Sequence, residues 1–172
     1  IRSLETGRYG LGGVKKFAGM TKEELIKRLH NPSSERQFLM YEALRKGATI
    51  EELYELTRIK RYFLEQMKEL AEEEEQLKGY AGRIPEPDVL KKAKLDGFSD
   101  RYLSQILKVS ESAIRQERIK NGIVQGWEGV HVSGTQDSAY YFSSYHIQDK
   151  SPSSDKKKIM ILGGGPNRIG QG

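Results

Sequence analysis

Apolar and polar positions alternate with a helical period through most of this chain, and turn residues mark the breaks. Between Thr21 and Gly122 apolar residues return every three or four positions, the spacing that lines one side of an α-helix. Thr21 with Glu24, and Thr49 with Glu52, each set a hydroxyl three positions ahead of a carboxylate. That pattern caps the free N–H groups at a helix start reciprocally. Gly47, Gly79, Gly97 and Gly122 stand where a helix needs a left-handed residue to stop. Together these signals predict helices over 21–29, 34–46, 49–56, 59–78, 87–96, 99–107 and 110–121. On the longest, Ile59, Phe63, Met67 and Leu70 recur at intervals of four, four and three and so share one stripe. Such a stripe serves a core or an interface equally well.

Two stretches share a plan. Ile50–Gln66 reads as a short helix, a turn at Thr57–Ile59 and a longer helix, and Ser99–Asn121 repeats it with a turn at Val109–Ser110. A helix-turn-helix that reads DNA has the same outline. The second helix of the later pair offers Arg115, Gln116, Arg118 and Lys120, but Glu111 and Glu117 interrupt any basic face. Helix packing is the favoured reading, with a nucleic-acid-binding module as the alternative. After Gly122 the period is lost. Residues 123–155 are rich in Gly, Ser and Asp, hold the lone Trp127, and include Tyr140, Tyr141, Phe142 and Tyr145, which suits an extended connector pinned by its aromatics. Then Ile159-Met160-Ile161-Leu162 forms a short run of strand type. The fold class is therefore mainly α: several helices, an extended connector and one strand of a truncated α/β domain.

Charge changes this picture little. The 172 residues carry 29 Lys and Arg against 24 Asp and Glu, a net +5. By segment the balance is +3 over 1–20, −2 over 21–78, +3 over 79–122 and +1 over 123–172. No basic stripe emerges, and Glu72–Glu75 would repel phosphate, so nucleic acid is not expected as a partner. No apolar run approaches the roughly 20 residues that cross a bilayer, and no membrane partner or secretory leader is expected. Cysteine is absent, which removes disulfides and thiolate chemistry and fits a reducing, cytoplasmic setting. His30, His131 and His146 lie far apart, and no metal site is expected.

The strand-like run leads into Gly163-Gly164-Gly165-Pro166-Asn167-Arg168-Ile169-Gly170-Gln171-Gly172. Glycines after a strand let backbone N–H groups approach phosphate closely. The two common nucleotide fingerprints are not met, since Arg168 and Gln171 occupy the positions for a glycine and a lysine. No nucleophile or acid–base constellation accompanies the loop, so no catalytic residue is assigned.

The whole string Lys156–Gly172 resembles the opening of the second synthetase half in the carbamoyl-phosphate synthase large-chain family. Arg2-Ser3-Leu4-Glu5 is similar to the close of the family's first half. Pro32, Arg36, Phe38, Glu42–Gly47, Leu56-Thr57, Ile59, Phe63-Leu64, Gly97–Asp100 and Tyr140–Tyr145 resemble its central helical domain. The resemblance divides the chain into residues 1–20 as the end of the first half, 21–122 as the helical oligomerisation domain, 123–155 as connector and 156–172 as the start of the second half. It implies a parent ligase that makes carbamoyl phosphate from bicarbonate, glutamine-derived ammonia and two ATP, with Mg or Mn and K as its ions. It implies other large chains and a glutaminase small subunit as partners, and a fragment that binds no cofactor and is itself non-catalytic. Gly163, Gly164, Gly165, Asn167 and Arg168 become candidate substrate-loop residues. Phe38, Met40, Leu44, Phe63, Met67 and Leu70 become candidates for association between chains.

Overall fold

Residues 6–130 and 140–160 are described by the computed structural model. Among them the chain forms α1 (Lys15–Ala18), α2 (Lys22–Leu29), α3 (Arg36–Arg45), α4 (Ile50–Thr57), α5 (Arg61–Lys78), α6 (Pro87–Leu95), α7 (Asp100–Leu107) and α8 (Glu111–Lys120). Two short strands follow, β1 (Gly126–Gly129) and β2 (Tyr141–Ser144). The fold is mainly α, as the period predicts.

Four of the helices begin at a side-chain cap. Thr21 accepts the Glu24 N–H at 3.3 Å while the Glu24 carboxylate takes the Thr21 N–H at 2.8 Å. Thr49 and Glu52 repeat the exchange at 3.1 and 2.7 Å. Ser99 and Ser110 cap α7 and α8 by accepting the N–H groups of Tyr102 and Ala113, each at 3.1 Å. Each such cap contributes about 1 kcal/mol. At the other ends Gly47, Gly97 and Gly122 are left-handed, but Gly79 is not. The chain stays right-handed at Gly79 and turns left-handed at Gly82, φ +91°, whose N–H reaches the Leu107 carbonyl at 2.7 Å. The helix still ends at Lys78 with Gly79 as its cap, and the left-handed turn comes three residues later, held by that tertiary bond.

The shared plan seen in the sequence extends to a full three-helix unit. Gly47, Leu53, Arg58 and Leu64 in α3–α5 correspond to Gly97, Leu103, Lys108 and Ile114 in α6–α8, each fifty positions on. The backbone repeats too: Ala48 N–H bonds Ala43 O and Phe98 N–H bonds Ala93 O, both at 2.9 Å. Arg58 and Lys108 take matching left-handed conformations, φ 56° and 54°, between the paired helices. Each unit owns a core. Phe38, Met40, Leu53 and Leu64 belong to the first, joined by Leu25 and Leu29 of α2, and Leu90, Leu103, Leu107 and Ile114 to the second. Burying each such side chain stabilises the fold by about 1.5–3 kcal/mol.

Two expectations are corrected, and one segment packs more closely than its assignment implied. Among residues 6–20, Phe17 of α1 is fully buried in the first core with Leu11 packed beside it. A single turn anchored by one Phe leaves no period to read. The connector is partly a hairpin, with β1 and β2 antiparallel and Trp127 opposite Ser143, Glu128 opposite Phe142. The expected strand at 159–162 does not form over Ile159 and Met160, which are exposed coil, while Ile161 and Leu162 lie outside the described residues. A lone strand has no neighbour to take its backbone bonds.

Candidate association surface

The α5 helix runs along both units and decides what is core and what is surface. Leu64, Ala71 and Leu77 face inward and are buried, with Met67 half-buried against the first core and Leu70 against the second. Phe63 is turned out, with 59% of its surface exposed. The predicted stripe thus errs by one position at Phe63, because its neighbour Leu64 is the residue buried in the first core, while Ile59 packs there as expected. Phe38, Met40 and Leu44 are corrected more fully: all are buried between α3 and its neighbours and are spent on this chain's own core.

Of the six association candidates, Phe63 alone is left open to a partner. Beside it Tyr62, which periodicity did not single out, is 63% exposed, and the two rings meet edge to face with centroids 5.4 Å apart. A Tyr-Phe dipeptide at a helix start following Arg61 was the only available signal. The rim beside the pair is charged. Arg61 grips Glu51 with two bonds of 2.7 Å and lays its guanidinium 3.6 Å from the Tyr54 ring centroid. That pairing holds the Glu51 carboxyl below its ordinary range. An apolar centre with a charged rim is the anatomy of a protein–protein contact.

The junction between the units is polar and buried. Glu74 of α5 accepts the phenols of Tyr41 (α3) at 2.8 Å and Tyr102 (α7) at 2.6 Å. Lys78 and Arg45 approach its other oxygen at 3.4 and 3.9 Å, and Arg45 also binds Glu42 and Glu75. Burial first, and then the Glu74 charge, push both phenols up. Gly12 lies directly on this cluster: a Cβ there would stand 2.4 Å from Glu74 Oε2, and one at Gly10 would stand 2.2 Å from the Tyr102 ring. The approach needs glycine. An open cleft of about 700 Å³ beside α3, α5 and α7 is lined by part of this cluster and by Lys15, Lys46 and Lys108.

The connector carries the second exposed aromatic group. Trp127, Tyr141 and Phe142 of the hairpin are outside, whereas Tyr145 is half-buried between Lys94 and Arg118, whose charges lie 5.0 and 5.9 Å from its ring centroid. Pinning of the connector therefore falls to Tyr145. Arg118 also donates to Asp100 at 2.7 Å, and Lys120 pairs with Glu117, so of the three cations that α8 was expected to offer a nucleic acid only Arg115 is exposed outside an ion pair. Among the described residues no group of three or more His, Asp or Glu could hold a metal, and no helix is long and apolar enough to cross a membrane. Gly163, Gly164, Gly165, Asn167 and Arg168 lie outside the described residues.

Residues 1–122 match the family described as carbamoyl-phosphate synthetase large chain, oligomerisation domain. The chain belongs to this family. Among relatives, the carbamoyl phosphate synthase large chain of Archaeoglobus fulgidus is 43% identical over all of this chain and 17% of its own length. The arginine-specific, chloroplastic large chain of Arabidopsis thaliana is 38% identical over all of this chain and 15% of its own length. The large chain of Pseudomonas aeruginosa is 36% identical over all of this chain and 16% of its own length. This chain thus spans about a sixth of the curated relatives it matches. No finding supports a nucleic-acid role for this oligomerisation domain.

Proposed function

We propose that this chain is the associating and connecting module of a larger ligase, and that it joins two large chains through the Tyr62–Phe63 face of α5. The observation that carries the reading is that pair of rings, exposed at the start of a helix whose other apolar residues are spent on the chain's own cores. The parent enzyme, on this reading, makes carbamoyl phosphate from bicarbonate, ammonia and two ATP. Its ATP, Mg or Mn, and K belong to the synthetase halves, and a glutaminase small subunit supplies the ammonia. On this reading the module itself performs no chemistry, and the parent works in the cytoplasm, a reducing setting with which the absence of cysteine here is compatible. Residues 156–172 would then open the second half, with Arg168 offered to a planar anion.

Sedimentation of the chain at rising concentration tests the association. The expected result is a dimer for the unmodified chain and a folded monomer for Phe63→Glu. A chain that stays monomeric at high concentration, or a Phe63→Glu variant that still dimerises, overturns the reading.

A further inference from the structure

The charges around Tyr62 and Phe63 divide at the rings. Ahead of them the turn from α4 into α5 carries Arg58, Lys60 and Arg61, all exposed. Arg58 pairs with Glu55 at 2.8 Å and Arg61 with Glu51 at 2.7 Å, but the Lys60 ammonium has no partner among the described residues. The turn therefore keeps one positive charge in excess. Beyond the rings, Glu65, Gln66, Glu69 and Glu72 continue the Tyr62 side of α5 at helical spacing, and all four are exposed. Lys68 answers Glu72 at 3.6 Å, while Glu69 accepts only the Gln66 amide at 3.2 Å. The Glu65 carboxylate has no partner among the described residues, so this stripe keeps two negative charges in excess.

A face that meets its own copy can do so in two ways. With a two-fold axis along α5 the helices run parallel, turn against turn and acidic stripe against acidic stripe. With the axis across α5 they run antiparallel, and the stripe of each copy lies against the basic turn of the other. Both arrangements seat the rings at the centre, so the apolar contact does not choose between them. Charge does. Like charges set opposite each other across a contact cost free energy, and unlike ones fix its register. The helix dipoles agree, because parallel neighbours place each pole beside a like pole.

We propose that two copies of this chain meet with their α5 helices antiparallel, the Glu65 and Glu69 stripe of each laid on the Arg58 and Lys60 turn of the other. The inference rests on the reading of Tyr62 and Phe63 as the contact between chains, and adds its orientation and its outer partners. At 1.5 Å per residue, Glu65 and Glu69 stand about 4 and 10 Å along the axis from Tyr62. That reach is comparable with the roughly 10 Å over which charges act at 0.1 M salt. The rings are the centre that loses its water, and these charges form the rim that selects the orientation. Each charge pair is made twice, because a closed two-fold contact repeats whatever it contains.

The test is the dimer dissociation constant of the full chain by sedimentation equilibrium, for the parent and for charge-reversed variants. Glu69→Lys and Lys60→Glu are each expected to weaken the dimer about tenfold, since the two-fold counts each change twice. The combined Lys60→Glu, Glu69→Lys chain exchanges the signs across the contact and is expected to return to within about threefold of the parent. In a parallel pair the same single changes trade one like-charge contact for another and leave the constant where it was. Both side chains are exposed and outside the cores, so circular dichroism is expected to show all three variants folded as the parent is. A Glu69→Lys chain that dimerises as well as the parent, or a combined variant no tighter than the single ones, overturns the antiparallel arrangement. Phe63→Glu still reports the contact itself in that case. A parent chain that stays monomeric overturns the contact and the arrangement together.

Discussion

Glu74 shows how much one residue can decide. It is buried at the joint of two three-helix units, and both phenols and both cations around it point at its carboxylate. Removing one partner of a buried charged network leaves the others desolvated without compensation. Glu74→Ala is therefore expected to destabilise the chain by roughly 3–5 kcal/mol in urea unfolding. Gly12→Ala presses on the same carboxylate and is expected to cost about 1–3 kcal/mol, the range for forced overpacking. Its neighbour Glu73 gives a pH dependence of opposite origin. Burial, and then its hydrogen bond with Asp96, raise its folded-state value to about 7 from 4.5, so the folded chain holds a proton that the unfolded chain has released. The stability that this proton supplies is complete below pH 4.5 and is lost as pH rises through 7. Glu73→Gln is expected to flatten the slope of stability between those values, read as the difference between variant and parent unfolding curves.

At the scale of elements, the sequence was most legible where local chemistry alone sets the structure. The capping boxes at Thr21 and Thr49 and the left-handed glycines 47, 97 and 122 marked real helix ends, because a cap needs only its own few residues. The misses share a different cause. Gly79 left the left-handed turn to Gly82 through a bond to Leu107, α1 exists because Phe17 finds a core, and Phe63 and Leu64 differ only in which one the first core buries. Each of those outcomes is decided by a partner distant in sequence. The exposed aromatic pair proposed as the association face was therefore only half readable: Phe63 was named, Tyr62 was not, and Phe38, Met40 and Leu44 belong to the interior. The paired loops carry their own prediction. Lys108 holds a left-handed conformation that costs a residue with a Cβ about 1 kcal/mol, so Lys108→Gly is expected to stabilise the chain by up to that amount in thermal unfolding. Arg58→Gly is expected to gain less, because it forfeits the Arg58–Glu55 pair and the stacking on Tyr54.

For the whole molecule, the contrast between neighbouring residues on α5 separates folding from association. Leu64→Glu buries an unpaired charge in the first core and is expected to abolish cooperative unfolding. Phe63→Glu, one residue away and open to water, is expected to leave the melting curve within about 0.5 kcal/mol of the parent when both are measured as monomers. A matched loss of stability in both variants would place Phe63 in the core after all. The two three-helix units bear on this contact in one further way. Fifty positions beyond Tyr62 and Phe63 stand Ser112 and Ala113, so the second unit repeats the helix but not the rings. A chain with the aromatic pair on both units would have two sticky ends and could string copies together without limit. With one, the proposed contact has a valency of one at this face: two copies meeting there would satisfy each other, and the assembly would close.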